Sequence, residues 1–147
     1  MQMKLFVKRL DPRAVLPAYQ TPGSAAMDLA AVLDAPVTVM PRALVSIPTG
    51  LAIALPGPEW VALVFARSGL GIKHGIALSN GVGVIDSDYR GEIRVGLTNL
   101  SDTPYTIQPG DRVAQLMITP VARASVLELE ELPQTARGTG GFGSTGR

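Results

Sequence analysis

Four short segments place charged or hydroxyl residues beside glycines inside otherwise apolar stretches, a conflict between levels that tends to mark functional sites. In Gly23 to Ala31, Asp28 stands alone in an apolar run, as a functional carboxylate or as a turn or edge aspartate. Ala66-Arg67-Ser68-Gly69-Leu70-Gly71 has the composition of a phosphate nest, with glycines baring backbone N–H groups beside a guanidinium, and equally of a structural turn. Asn80 to Glu92 reads NGVGVIDSDYRGE: two glycine-bearing apolar strands around a tight turn. This is either a hairpin that closes on a flat ligand with its backbone groups or an ordinary β-turn whose aspartates bond their own main chain. In Gly110 to Leu116, Gln115 interrupts an apolar strand, which a solvent-facing glutamine on an edge strand also does. Finally, Arg137 to Arg147 reads RGTGGFGSTGR and has no apolar periodicity. It has the makings of an arm that closes over a phosphorylated ligand, with Arg137 as a cationic fork and Phe142 as a stacking face, or of a disordered tail.

Composition narrows the chemistry. There is no cysteine, and His74 is the only histidine, so a His/Cys zinc site cannot be built and a Ser-His-Asp triad would have to use His74. Proton chemistry then rests on carboxylates, and any metal is a hard, oxygen-liking ion such as magnesium. Thirteen basic and twelve acidic residues leave no basic stripe for long nucleic acid. No apolar run reaches membrane-spanning length and the N-terminus lacks a signal-peptide pattern, so a soluble cytoplasmic protein with no membrane or nucleic-acid partner is expected.

The elements that must position these residues are short strands. Twelve prolines and sixteen glycines cut the chain into β-branched runs, with no room for long helices. Strands are expected at Lys4–Leu10, Val37–Met40, Ala43–Ile47, Leu51–Leu55, Trp60–Phe65, Gly75–Leu78, Gly81–Ile85, Glu92–Asn99, Tyr105–Gln108, Arg112–Ile118 and Ser125–Glu130. Both alternating faces of Trp60–Phe65 are apolar, as in a strand buried on two sides. The strict Leu/Glu alternation of residues 127–130 argues for a strand there, although a helix fits almost as well. One helical turn is expected at Arg67–Gly71, capped by Ser68. The outcome is an all-β sandwich, jelly roll or barrel over residues 1–134, followed by an arm at 135–147.

Together these segments resemble the five ordered motifs of the trimeric deoxyuridine triphosphatases: AMDL, ARSGLG, NGVGVIDSDYRG, GDRVAQ and RGTGGFGSTG, in family order and comparable spacing over nearly the whole chain. One departure is Ala26, where many members carry glycine. The resemblance implies a jelly-roll-like β-barrel forming a homotrimer with exchanged C-terminal arms, each active site assembled from three subunits. It implies hydrolysis of dUTP to dUMP and diphosphate, with Asp86 as general base orienting a water toward the α-phosphorus. Asn80, Gly83, Val84 and Ile85 would receive uracil, and Tyr89 would lie against deoxyribose. Arg67, Ser68, Gly69 and Gln115 would engage the phosphates. Asp28 would hold Mg2+ through coordinated waters. Arg137, Phe142, Gly143, Ser144 and Thr145 would close over the ligand, while Arg90 and Glu92 receive no site role.

Two rivals remain. The related deoxycytidine triphosphate deaminases share this fold, but their catalytic glutamate aligns with Gly96, and they tend to have Trp where this chain has Tyr89. A non-catalytic trimeric nucleotide sensor would need no general base at position 86.

Overall fold

A computed structural model describes residues 3–143 and 146. Eleven strands and one short helix occur among them: β1 Phe6–Arg9, β2 Met27–Ala30, β3 Val37–Val39, β4 Leu44–Pro48, β5 Leu51–Ala54, β6 Trp60–Phe65, α1 Ser68–His74, β7 Ile76–Leu78, β8 Gly83–Ile85, β9 Arg94–Asn99, β10 Tyr105–Ile107 and β11 Arg112–Pro120. Every pairing is antiparallel. A four-stranded sheet runs β2-β11-β6-β8, a three-stranded sheet runs β4-β9-β7, and β1-β5 and β3-β10 form two-stranded ribbons. No helix among the described residues is long and apolar enough to cross a membrane.

Alternation drives the packing. One side of each strand turns inward, and Leu29, Val39, Ile47, Leu51, Ile76, Val95, Leu97, Ile107, Val113 and Leu116 are fully buried in one core. Two polar side chains share that interior. Asn99 donates to the carbonyls of Val39 (3.0 Å) and Thr103 (2.7 Å) and accepts from Ser101 N and Oγ, tying β9 to β3. Thr49 donates to the Ile93 carbonyl at 2.6 Å and fixes the residue that leads into β9. No buried side-chain nitrogen or oxygen among the described residues lacks a partner, as a stable interior requires.

Several sequence expectations need correction. The segment Met27–Ala30 is a strand that the single charge at Asp28 concealed. Ser125–Glu130 is not a strand: residues 121–139 carry no regular element and are all exposed, with no neighbouring chain segment to complete a ladder. Trp60–Phe65 is buried on one face only; Leu63 and Phe65 on the other are partly covered. The helical turn extends to His74, and its cap residue is Arg67, which makes no side-chain capping bond; Ser68 is the first helical residue instead. Gly75 ends it in the left-handed conformation at φ 68°.

Candidate functional site

Asp28, Gln115 and Phe65 stand in one row. The β2–β11 register sets Asp28 opposite Gln115, and the β11–β6 register sets Gln115 opposite Phe65, so the three side chains share one face of the sheet. That face opens into a cleft of about 550 Å³ whose wall also includes Arg67, Ser68, Gly69 and Arg112. Gln115 is therefore not on an edge strand; β11 lies between β2 and β6, and Gln115 Nε2 donates to the Ala66 carbonyl at 2.9 Å, bracing the chain just before Arg67.

Asp28 is the electrostatic centre of this cleft. Its carboxylate is mostly covered and meets two guanidiniums, Arg67 Nε at 3.4 Å and Arg112 Nη1 at 3.0 Å. Two cations and one anion leave a local excess of positive charge, suited to a polyanionic ligand. Nearby, burial raises the Tyr105 phenol above its ordinary range; Asp111 reinforces the shift and Arg67 opposes it, so the hydroxyl stays protonated at neutral pH.

Asn80, Gly83, Val84, Ile85, Asp86 and Tyr89 line a different cleft, of about 270 Å³. Its floor includes Val64, adjacent in β6 to Phe65 of the first cleft. Consecutive strand residues point to opposite faces, so the two clefts lie back to back across one sheet. The expected hairpin is not a paired one. β8 bonds to β6, whereas β9 bonds to β4 and β7, leaving the β8 and β9 segments splayed around an open space. This splay is what makes room for a flat ligand between them.

The turn between those strands is held from several sides. Tyr89 N donates to the Asp86 carbonyl at 3.1 Å, Tyr89 Oη to the Glu92 carbonyl at 2.9 Å, and Arg90 Nη1 to the carbonyls of Ser87 and Tyr89. Glu92 accepts from Gly50 N at 3.0 Å and pairs with Arg94 at 3.2 Å. The Asp86 side chain is exposed and joins none of the ion pairs among the described residues. It stands on the rim between this cleft and an outer groove lined by Trp60, Val84 and Arg123.

Gly96, at the back of the same cleft, leaves no space for a side chain. A Cβ there would lie 2.6 Å from Ser79 Oγ.

Arg137 and Phe142 line neither cleft. Both are exposed, Phe142 completely so, and Gly143 adopts a left-handed φ of 92°. Ser144 and Thr145 lie outside the described residues. The sequence-derived set thus falls into three groups on one chain: a cationic cleft, a nucleoside-sized cleft and an exposed C-terminal stretch. Sequence reasoning missed Arg112, Glu92 and Gly50; the arginine lies inside the GDRVAQ motif, and its spacing to Gln115 was the available signal.

No group of three or more His, Cys, Asp or Glu side chains among the described residues could cage a metal. A lone carboxylate beside an anion-receptive cleft fits a hydrated magnesium ion carried on phosphate oxygens, since that ion keeps several waters and takes few protein ligands.

Residues 13–146 match the family model described as dUTPase. The chain is 53% identical over 147 residues to the deoxyuridine 5'-triphosphate nucleotidohydrolase of Albidiferax ferrireducens, covering 99% of each. A mutant of the dUTPase of phage 80alpha superposes with a TM-score of 0.87 at 26% identity, over 98% of this chain and 99% of that one. The dUTPase of phage phi11 of S. aureus, described with a structural Mg(II) ion, superposes with a TM-score of 0.80 at 23% identity, over 89% and 99%.

Proposed function

The chain belongs to the dUTPase family, and from that membership we propose that it hydrolyses dUTP to dUMP and diphosphate, keeping uracil out of DNA and supplying dUMP for thymidylate synthesis. The observation that carries the reading is the sorting of its polar residues. Those suited to a nucleoside line one cleft, those suited to phosphates line another, and the single unpaired carboxylate stands on a rim.

The two clefts occupy opposite faces of one sheet, so one copy cannot wrap a single nucleotide with both. A ring of three copies resolves this, each site taking the nucleoside cleft of one copy, the cationic cleft of a second and residues 135–147 of the third. The bare side chains of Val126, Leu127, Leu129 and Leu132 support such an exchange, because they need an apolar surface that their own chain does not supply.

Within that site, uracil enters the splay between β8 and β9, read by Asn80 and the main chain of Gly83 to Ile85. Cytosine presents the wrong donors and acceptors, and buried polar groups left unpaired reject such an analogue by roughly 10⁴-fold. Tyr89, held by its bond to the Glu92 carbonyl, crowds the position of a ribose 2′-hydroxyl. Asp86 accepts a proton from the attacking water as its oxygen bonds to the α-phosphorus. The bond from the α-phosphorus to the bridging oxygen then breaks, and diphosphate leaves with that electron pair. At neutral pH the carboxylate is a weak base, so orientation of the water is much of its contribution.

Arg67, Ser68, Gly69 and Gln115 hold the phosphate chain, with Asp28 toward a metal-bound water. Magnesium, when bound, supplies charge neutralisation on the phosphate oxygens. Arg137 pairs with the terminal phosphate, Phe142 stacks on the base, and Gly143, Ser144 and Thr145 complete the lid. The substrate is a free cytoplasmic nucleotide.

Deamination is disfavoured by the closed space at Gly96, where the rival chemistry needs a glutamate. The deciding experiment measures diphosphate release from dUTP with magnesium beside the thymidine, deoxycytidine and ribouridine triphosphates. Selective release from dUTP is expected; equal release from all four, or ammonia from the deoxycytidine nucleotide, overturns the assignment.

A further inference from the structure

Arg112 sits among Asp28, Arg67 and Gln115, yet no role follows for it from the motifs. We propose that Arg112 is a positioning residue that keeps Asp28 from capturing Arg67, so that Arg67 retains a free guanidinium edge for phosphate. This rests on the second cleft being the phosphate site.

The same residue acts twice. Its guanidinium Nη1 lies 3.0 Å from Asp28 Oδ2, and its main-chain carbonyl accepts a hydrogen bond from Arg67 Nη1 at 3.1 Å. Arg67 reaches Asp28 only through Nε, at 3.4 Å from Oδ1, well beyond the roughly 2.7–2.9 Å of a strong charge-assisted bond. An arginine and a carboxylate left to themselves settle into a bidentate fork with two parallel bonds. Here the second carboxylate oxygen is taken by the Arg112 side chain and a second guanidinium nitrogen by the Arg112 carbonyl. Both arms of the fork are blocked by one residue.

Local backbone geometry makes this possible. The β2–β11 register shifts between Arg112 and Ala114, and the β6–β11 ladder begins only at Gln115 opposite Phe65. The Arg112 carbonyl therefore stands outside that ladder and can serve a side chain. Charge argues the same way: with Arg112 present the trio is net positive, whereas without it Asp28 and Arg67 form a neutral pair that a triphosphate must break.

The test measures binding of the non-hydrolysable analogue α,β-imido-dUTP by calorimetry, without divalent metal, to the full-length protein and to R67Q, R112Q, R112K, D28N and D28N/R112Q. Melting curves accompany each variant. R112Q is expected to weaken binding roughly tenfold, and R112K to recover part of that loss by restoring a donor to Asp28. The double variant D28N/R112Q is expected to bind no worse than D28N, because without the carboxylate nothing competes for Arg67.

Additive losses in the double variant, or R112Q binding within twofold of the parent, overturn the proposal. Should R112Q melt below the assay temperature, the comparison of R112K with D28N/R112K decides the same question. R67Q separates the levels. An unchanged affinity in R67Q overturns the phosphate reading of the cleft itself, whereas a loss there with additive Arg112 and Asp28 effects removes only the role of Arg112.

Discussion

Replacing Asp86 with Asn separates chemistry from binding and from folding. The side chain is exposed, joins no ion pair among the described residues and contributes to the turn only through its main-chain carbonyl, which Asn keeps. A surface change of this kind alters stability by no more than about 0.5 kcal/mol, or a melting shift of roughly 1–2 °C in a chain this size. The loss of a positioned base is different in scale. General-base assistance contributes roughly 10²–10⁴-fold, equivalent to about 2.7–5.4 kcal/mol of barrier at 1.36 kcal/mol per decade. Three measurements on one preparation follow: diphosphate release under saturating dUTP, analogue affinity and the melting midpoint. Turnover should fall by at least two decades, with affinity within about threefold and an unmoved midpoint. A variant keeping a tenth or more of parental turnover would refute the assignment of Asp86, and equal collapse of affinity and turnover would show that it binds rather than catalyses.

Gly91→Ala tests the Tyr89 wall: a Cβ at 91 would lie 2.6 Å from Tyr89 Cζ, so the ring must move and lose its bond to the Glu92 carbonyl. Discrimination between dUTP and UTP, measured as a ratio of kcat/KM values, should fall roughly tenfold while the protein stays folded. Ending the chain after Gln134 removes residues that line neither cleft and should leave the melting midpoint nearly unchanged, with turnover lowered at least a hundredfold by loss of the lid. Near-normal turnover in that truncation contradicts the closing role. On the far side of the fold, hydrogen bonds from Arg13 hold the Asp11 carboxyl at about 2, down from 3.8. Because the folded value lies below the unfolded one, the stabilisation is present above about pH 4 and disappears as pH falls through 2. Asp11→Asn should therefore lower the melting midpoint slightly at pH 7 and not at pH 2, and an equal drop at both refutes the linkage.

Most strands were legible because each is a β-branched run between turn residues, and β6 spans the expected Trp60–Phe65 without change. What local pattern cannot encode is the partner. The alternation of residues 127–130 resembles a strand, but a strand exists only where another supplies its ladder, and none does so within this chain. The splay of β8 from β9 is likewise a property of sheet order rather than of the NGVGVIDSDYRG string. The converse error hid Met27–Ala30, where a single aspartate outweighed its buried neighbours. The catalytic and nucleoside residues were found through motifs whose glycines and charges violate strand logic. Arg112 escaped because a basic residue at the start of a strand violates nothing; only the coordinates reveal that its side chain and carbonyl grip two different neighbours.

Val64 and Phe65 turn adjacent side chains to the two faces of one strand, and this alternation has a genetic consequence under the ring arrangement. An injury at position 86 and an injury at position 67 silence different halves of a subunit. Two dead proteins, mixed during assembly, would then complement one another, since about one site in four draws both halves from undamaged faces.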